Sequence, residues 1–319
     1  MAIALALILN AGILVGAFVV GLAIRRGSRR QCIAICAVGL AVCLAKGLLA
    51  RRPDIETRLF PWPDYVLFSG WNGALGMLVV GAMAGLVRRK RDWAFLCLAG
   101  LVTLGYFGDH LFWVGSSGGD VTALLAERAA LTPSGAGRHR LDAAPRGSPL
   151  VRQTTAYTCG AAAAASMLRA IGVTTDEWEM ASLCLTRRGR GTPDLGIWRG
   201  LNVKLRDADS DLRVRIDRLT YQDLLASPMP VILRVRFSLD HAVLAVGAYG
   251  DRVVIFDPSA GGSLFTWDEY TLSEMAGWAG YAFVLYRPDG APMAVDRHEP
   301  GFGLLPPWVN HDHRDDARL

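Results

Sequence analysis

Residues 2–24 contain no charged side chain, and an uncharged apolar stretch of roughly 20 residues is what a helix needs to cross a hydrocarbon core. Three more apolar runs of comparable length follow at 32–50, 65–87 and 93–114, interrupted by little more than Lys46 and the Asp109-His110 pair. Of the 319 residues 52% are hydrophobic, and the excess sits before residue 115, whereas beyond it charges are scattered in ordinary globular fashion. The composition therefore divides the chain: 1–115 reads as a four-span transmembrane bundle, 116–150 as a linker rich in Gly, Pro and Arg, 151–287 as a globular domain, and 288–319 as a flexible tail. A cleaved signal peptide would carry positive residues ahead of a shorter apolar core, and no basic residue precedes Arg25.

The basic residues orient the bundle. Arg25, Arg26, Arg29 and Arg30 lie in the first connection and Arg88, Arg89, Lys90 and Arg91 in the third, against Arg51, Arg52, Arg58 and Arg128 on the opposite side. The bias places the first and third connections in the cytoplasm, so both termini and the globular domain are expected on the extracytoplasmic face of a bacterial inner membrane, the periplasmic side in a Gram-negative host. Lys46, near the end of its run, is expected to snorkel to the interface. The net charge of +5 arises from these membrane-flanking clusters, which argues against a nucleic-acid partner. No GxxxxGK[ST] loop is present to hold a nucleotide. Cys32, Cys36, Cys43 and Cys97 fall inside the apolar runs without metal-ligand spacing, and His311 with His313 reads as part of a solvated tail. No metal or other cofactor is expected.

The chemistry is concentrated after Val151. Cys159-Gly160 opens a run of alanines that continues to Ala170 and meets Gly172, a pattern for a helix starting at Cys159 and stopping at a left-handed glycine. A thiol at a helix N-terminus faces unpaired backbone N–H groups and the positive end of the dipole, which favour the nucleophilic thiolate. Between Val151 and Tyr286 the one histidine is His241, opening an apolar strand-like stretch, and a second such stretch at 253–256 delivers Asp257. A hairpin turning at Tyr249, Gly250 and Asp251 would bring His241 and Asp257 to one end of a sheet. Asp257 then orients the imidazole while its other nitrogen faces Cys159, and Gln153 upstream supplies an amide for the oxyanion. Each of these residues alone is more often structural; the conjunction in this order carries the assignment.

The Gln153, Cys159-Gly160 spacing, Gly191-Thr192, the 195–201 region, Pro230-Val231-Ile232, the His241-Ala242-Val243-Leu244 run and Asp257-Pro258 together resemble the bacteriocin-processing, or double-glycine leader, cysteine peptidase family. The resemblance spans roughly 151–286 and implies a papain-like α+β fold, with Cys159 as nucleophile, His241 as general base, Asp257 as orienting acid and Gln153 as oxyanion donor. It also implies a peptide or protein substrate, cut after Gly-Gly; the apolar runs add a lipid bilayer and a possible membrane protein as partners, and the charge placement and missing phosphate loop leave out nucleic acid and nucleotide. Thr158 stands where relatives often have an acidic residue, and Ala242 where they often have a bulky one. A catalytically silent peptide-binding module and a thiol-dependent acyl transferase are the rival functions on the same fold.

Within the domain, Thr174 and Glu177 have capping-box spacing for a helix reaching about Leu185 that contains Cys184, expected as buried filler rather than a disulfide partner of Cys159. A second helix is expected from Thr192-Pro193-Asp194. Strands are expected at 203–205, 212–216, 231–237, 242–246, 253–256 and 282–286.

Overall fold

The computed structural model describes residues 16–17, 29–68, 149–236, 239–259 and 263–291. The chain divides into two compact units, Met1–Gly119 and Asp120–Leu319.

In the first unit α1 spans Arg29–Leu49, α2 Pro53–Leu59 and α3 Tyr65–Phe68. Among the described residues no helix is long and apolar enough to cross a membrane, so the four-helix bundle expected from the sequence is not shown. The stretches 2–15, 69–87 and 93–114 of the expected spans lie outside the described residues, as does Cys97. The second expected span coincides with α1, and there the expectation for Lys46 is corrected. Instead of reaching an interface, its ammonium is buried in an ion pair with Glu56 and donates to the Tyr65 hydroxyl at 2.6 Å. A buried ammonium is tolerable only beside a counter-charge and hydrogen-bond acceptors, and the α2–α3 segment supplies both. Tyr65 is fixed in turn by stacking on Phe60, ring centroids 4.4 Å apart.

The second unit packs three helices on one face of a six-stranded antiparallel sheet. The helices are α4 (Cys159–Ala170), α5 (Glu177–Leu183) and α6 (Asp194–Asp207), followed by β1 (Arg213–Arg218). A short α7 (Tyr221–Ala226) precedes β2 (Val231–Arg236), β3 (Asp240–Tyr249), β4 (Arg252–Asp257) and β5 (Ser263–Trp267), and a π-helical turn (Thr271–Met275) leads into β6 (Tyr281–Tyr286). The strand order is β1-β6-β2-β3-β4-β5.

Small side chains make α4 the central helix. Ala161, Ala162, Ala163, Ala164, Ala165, Met167 and Leu168 are all fully buried, so α4 is covered on every side and lies close against β2 and β3. It ends as its sequence dictates, with Gly172 at φ +85 and the Val173 amide donating back to the Leu168 carbonyl at 2.9 Å. Strand alternation loads the opposite face of the sheet: Val231, Leu233 and Val235 of β2, Val243 and Ala245 of β3, and Val253 and Ile255 of β4 pack with Tyr221, Leu224, Leu272 and Trp278. Burying each large side chain of this kind contributes about 1.5–3 kcal/mol.

Several local expectations change. The 203–205 segment is helix, not strand: Ile197, Leu201 and Leu205 are fully buried at four-residue spacing, and an apolar run of three residues cannot by itself distinguish the two periods. The cap of α5 is Asp176, which accepts from the Glu179 amide at 2.8 Å, rather than Thr174. Three elements of this domain were not expected: α7, whose capping box uses Asp223 where Glu or Gln is usual, the short edge strand β5, and the π-helical turn at Thr271–Met275. Outside the described residues lie most of the linker and the tail beyond residue 291, with His311 and His313.

Candidate active site

Thr158 occupies the N-cap position of α4 but makes no side-chain cap. Its hydroxyl donates to the Thr155 carbonyl at 3.1 Å and lies 3.0 Å from the Thr155 hydroxyl, while the first helical bond runs from the Ala162 amide to the Thr158 carbonyl. The N-terminus of α4 is thus left without a side-chain oxygen on it, and Cys159 is its first residue. Gly160 follows because α6 comes too close for a side chain: an added Cβ would lie 2.9 Å from both Ile197 Cδ1 and Thr192 Cβ.

Hairpin register brings the other two residues together. Leu244 faces Phe256 across β3 and β4, with Gly250 at φ +60 in the connecting turn, so His241 at the start of β3 and Asp257 at the end of β4 share one end of the sheet. His241 Nε2 and Asp257 Oδ1 are 2.8 Å apart. That contact leaves Nδ1 for the Cys159 thiol, with which His241 also hydrogen-bonds. The three side chains form one continuous chain, and all are largely shielded: Cys159 is 7% exposed, and the His241 and Asp257 side chains 14% and 10%.

The electrostatics follow from this contact chain. Burial opposes ionisation of Cys159, yet the hydrogen bond and charge of His241, the Ala242 N–H and the nearby Arg234 guanidinium outweigh it and hold the thiol below its ordinary value. Burial likewise disfavours the imidazolium of His241, but Asp257 and the Cys159 sulfur raise its pKa to about 9. Asp257 is held at about 2, since its own desolvation is overcome by His241 and by Ser259. The shifts are those of a thiolate–imidazolium pair oriented by a carboxylate, an arrangement able to deliver a nucleophile and then a proton to one substrate bond.

Gln153 lies on the segment that enters α4. Its backbone N–H donates to the Pro258 carbonyl at 3.2 Å, tying this segment to the residue after Asp257. One N–H of its amide donates to the Thr155 carbonyl at 2.9 Å, which fixes the amide and leaves the second N–H for another acceptor. Its Oε1 is buried and has no hydrogen-bond partner among the described residues.

Two contributors were not anticipated. Ser259 donates to Asp257 Oδ1 through both its backbone N–H, at 2.8 Å, and its hydroxyl, at 2.7 Å; a serine two residues after an aspartate is the available sequence signal. Arg234 on β2 is paired with Asp194 at 2.7 Å, and only the β2–β3 register, which sets it opposite Ala242, reveals its place. Cys184 takes no part. It is fully buried, its pKa pushed up to about 12 by desolvation, and an added Cβ at Gly200 would lie 2.3 Å from its sulfur. Among the described residues no group of His, Cys, Asp and Glu could hold a metal ion.

The chain resembles solved structures over less than half its length. A peptidase domain of Streptococcus ComA, described as a bifunctional ABC transporter of quorum sensing, is 24% identical and aligns over 44% of this chain and 98% of its own, with a TM-score of 0.38. The peptidase domain of Streptococcus mutans ComA is 24% identical over 43% and 98%, with a TM-score of 0.32. A double glycine motif protease from an AMS/PCAT transporter, solved with its leader peptide, is 20% identical over 44% and 91%, with a TM-score of 0.35. No curated protein matches the chain. The family model of the peptidase C39 family matches residues 147–287, the segment that holds the whole sheet, α4 and the Cys159–His241–Asp257 chain of contacts. Residues 147–287 are thus similar to the peptidase C39 family, a family of cysteine peptidases.

Proposed function

We propose that this protein cleaves a leader peptide after a Gly-Gly pair, using Cys159, His241 and Asp257 as its triad. The Cys159 thiolate attacks the scissile carbonyl carbon. The resulting oxyanion takes hydrogen bonds from the free N–H of the Gln153 amide and the backbone N–H of Cys159. As the intermediate collapses, the imidazolium of His241 gives its proton to the leaving amine, and a thioester forms on Cys159. Water, deprotonated by His241, then releases the leader as a free carboxylate and restores the thiolate. Asp257 keeps the ring in the orientation both steps need.

The observation that carries this reading is the unbroken contact chain from Cys159 through His241 Nε2 to Asp257 at 2.8 Å, with the thiol lowered and the imidazole raised. A binding module would gain nothing from an activated thiol. The Gly-Gly preference rests on the family match over 147–287. The test is hydrolysis of a synthetic leader peptide carrying Gly-Gly before a reporter. Cys159→Ala and His241→Ala should each abolish release of a product with a free carboxyl terminus; turnover surviving Cys159→Ala sinks the proposal, and a transferred acyl product would assign acyl transfer instead.

In this reading the 1–115 region anchors the enzyme in a bacterial inner membrane with the peptidase domain on the extracytoplasmic side. Support comes from the apolar runs, the Arg/Lys bias of their connections, and the outward-facing Ile33, Val38 and Leu48 of α1. A reporter fused at the C-terminus tests it: periplasmic activity is expected, and cytoplasmic activity reverses the orientation.

A further inference from the structure

Glu177 is a buried charge that the proposed mechanism does not use. It is 3% exposed at the first position of α5, where a carboxylate could rest in solvent on the favourable end of the helix dipole. Helix capping does not require it, because Asp176 already accepts from the Glu179 amide. Instead Glu177 turns inward. Its Oε1 accepts the Thr154 backbone N–H at 2.8 Å, and although burial raises its pKa, that N–H and the nearby Thr158 and Thr154 hydroxyls favour the carboxylate.

These contacts all fall on the segment between the oxyanion donor and the nucleophile. Gln153 begins it, Cys159 follows it, and Thr158 is the residue whose hydroxyl would otherwise cap α4. Serine and threonine at an N-cap normally close the helix end by accepting an N–H of its first turn. Here that hydroxyl donates to the Thr155 carbonyl instead, so it does not close the helix end to an incoming oxygen. The segment is held from two directions: from α5 through Glu177, and from the Asp257 turn through the Gln153 N–H to the Pro258 carbonyl. Burial of a carboxylate costs several kcal/mol without such partners, so a charge kept here has to be matched by the loop it organises.

We propose that Glu177 is a positioning residue that shapes the 153–158 segment, keeping Thr158 off the N-terminus of α4 so that the Gln153 amide and the Cys159 N–H converge on the oxyanion. The inference rests on the proposed peptidase mechanism and assigns a residue to one step of it, stabilisation of the oxyanion, as distinct from activation of the thiol.

That distinction gives the test. Alkylation of Cys159 by iodoacetamide needs the thiolate but develops no oxyanion, whereas peptide hydrolysis needs both. In the full chain, Glu177→Gln keeps the shape but weakens the acceptor that holds the Thr154 N–H. Thr158→Val removes, at constant shape, the hydroxyl that could close the helix end. Glu177→Gln should lower kcat on the Gly-Gly reporter peptide by at least about tenfold with KM changed less than about twofold, because oxyanion stabilisation is a transition-state term, whereas Thr158→Val should stay within about threefold of wild type. Cys159 alkylation should stay within about threefold of wild type, thermal stability within a few degrees, and the double variant should recover most of the turnover that Glu177→Gln loses. Turnover of Glu177→Gln within twofold of wild type overturns the inference, as does a double variant no faster than Glu177→Gln, and so does loss of turnover in step with alkylation or with melting temperature, which would mark Glu177 as a fold brace. Failure of the underlying mechanism would show separately, as turnover that survives Cys159→Ala.

Discussion

Asp257 meets His241 through Oδ1, the same oxygen that accepts both the backbone N–H and the hydroxyl of Ser259. One carboxylate oxygen is thereby fixed by three donors, and Ser259 Oγ lies 3.4 Å from His241 Nε2. The carboxylate that faces the imidazole is itself held in place.

Ser259→Ala should therefore loosen Asp257 from the imidazole. Losing a hydrogen bond to an ionised group predicts a fall in kcat of about tenfold with KM nearly unchanged. The alkaline limb of the rate profile should move down from about 9, since His241 loses part of the charge that raises it. Ser259→Thr, which keeps the hydroxyl, should restore both; an alkaline limb that moves up instead would mean Ser259 competes with His241 for Oδ1.

The pH dependence has two faces. Catalysis requires the thiolate and the imidazolium together, so kcat/KM should persist through neutral pH and decline above about 9 as His241 deprotonates. For stability, a raised imidazole contributes fully below its unfolded value of 6.5 and the contribution is lost as pH rises through about 9, while Asp257 contributes above 3.8 and loses it as pH falls through about 2. Denaturant melts of wild type and His241→Ala should differ most near pH 6 and converge by about pH 10.

Gly160→Ala should destabilise the fold by about 1–3 kcal/mol, the usual cost of overpacking. The new Cβ meets Thr192 Cβ at 2.9 Å, and a β-branched side chain wedged at the start of α6 has little freedom to move away. Urea unfolding of the two proteins measures it; equal stability would show that α4 and α6 can separate at no cost.

Cys184 should be inert. Complete burial and a pKa near 12 keep it a thiol, so a mild oxidant should leave no Cys159–Cys184 bridge and iodoacetamide should reach Cys184 only after unfolding. Peptide mapping before and after denaturation decides this.

The site was largely legible because its residues sit where local patterns are strongest. A poly-alanine helix that starts at Cys159 and a hairpin turning at Gly250 bring Cys159, His241 and Asp257 together from short-range rules alone. The supporting residues were hidden because their roles exist only in three dimensions. Glu177 matched a capping-box spacing and instead faces a loop more than twenty residues earlier, while Arg234 reaches the site only through strand register. Lys46 failed for a related reason: its apolar neighbours pointed to an interface, but the partner that decides its position, Glu56, lies ten residues on in another element. At 203–205 an apolar triplet fitted strand and helix equally, and packing against α5 and β1 selected helix.

The central claim is that His241 activates Cys159, and the most direct measurement is the rate of Cys159 alkylation by an iodoacetamide probe from pH 5 to 9, in wild type and His241→Ala. The account predicts rapid labelling of wild-type Cys159 at pH 6–7, and a drop of at least about tenfold in the variant, whose buried thiol reverts to or above its ordinary value of 9.0. Slow labelling at neutral pH that is the same with and without His241 would contradict it.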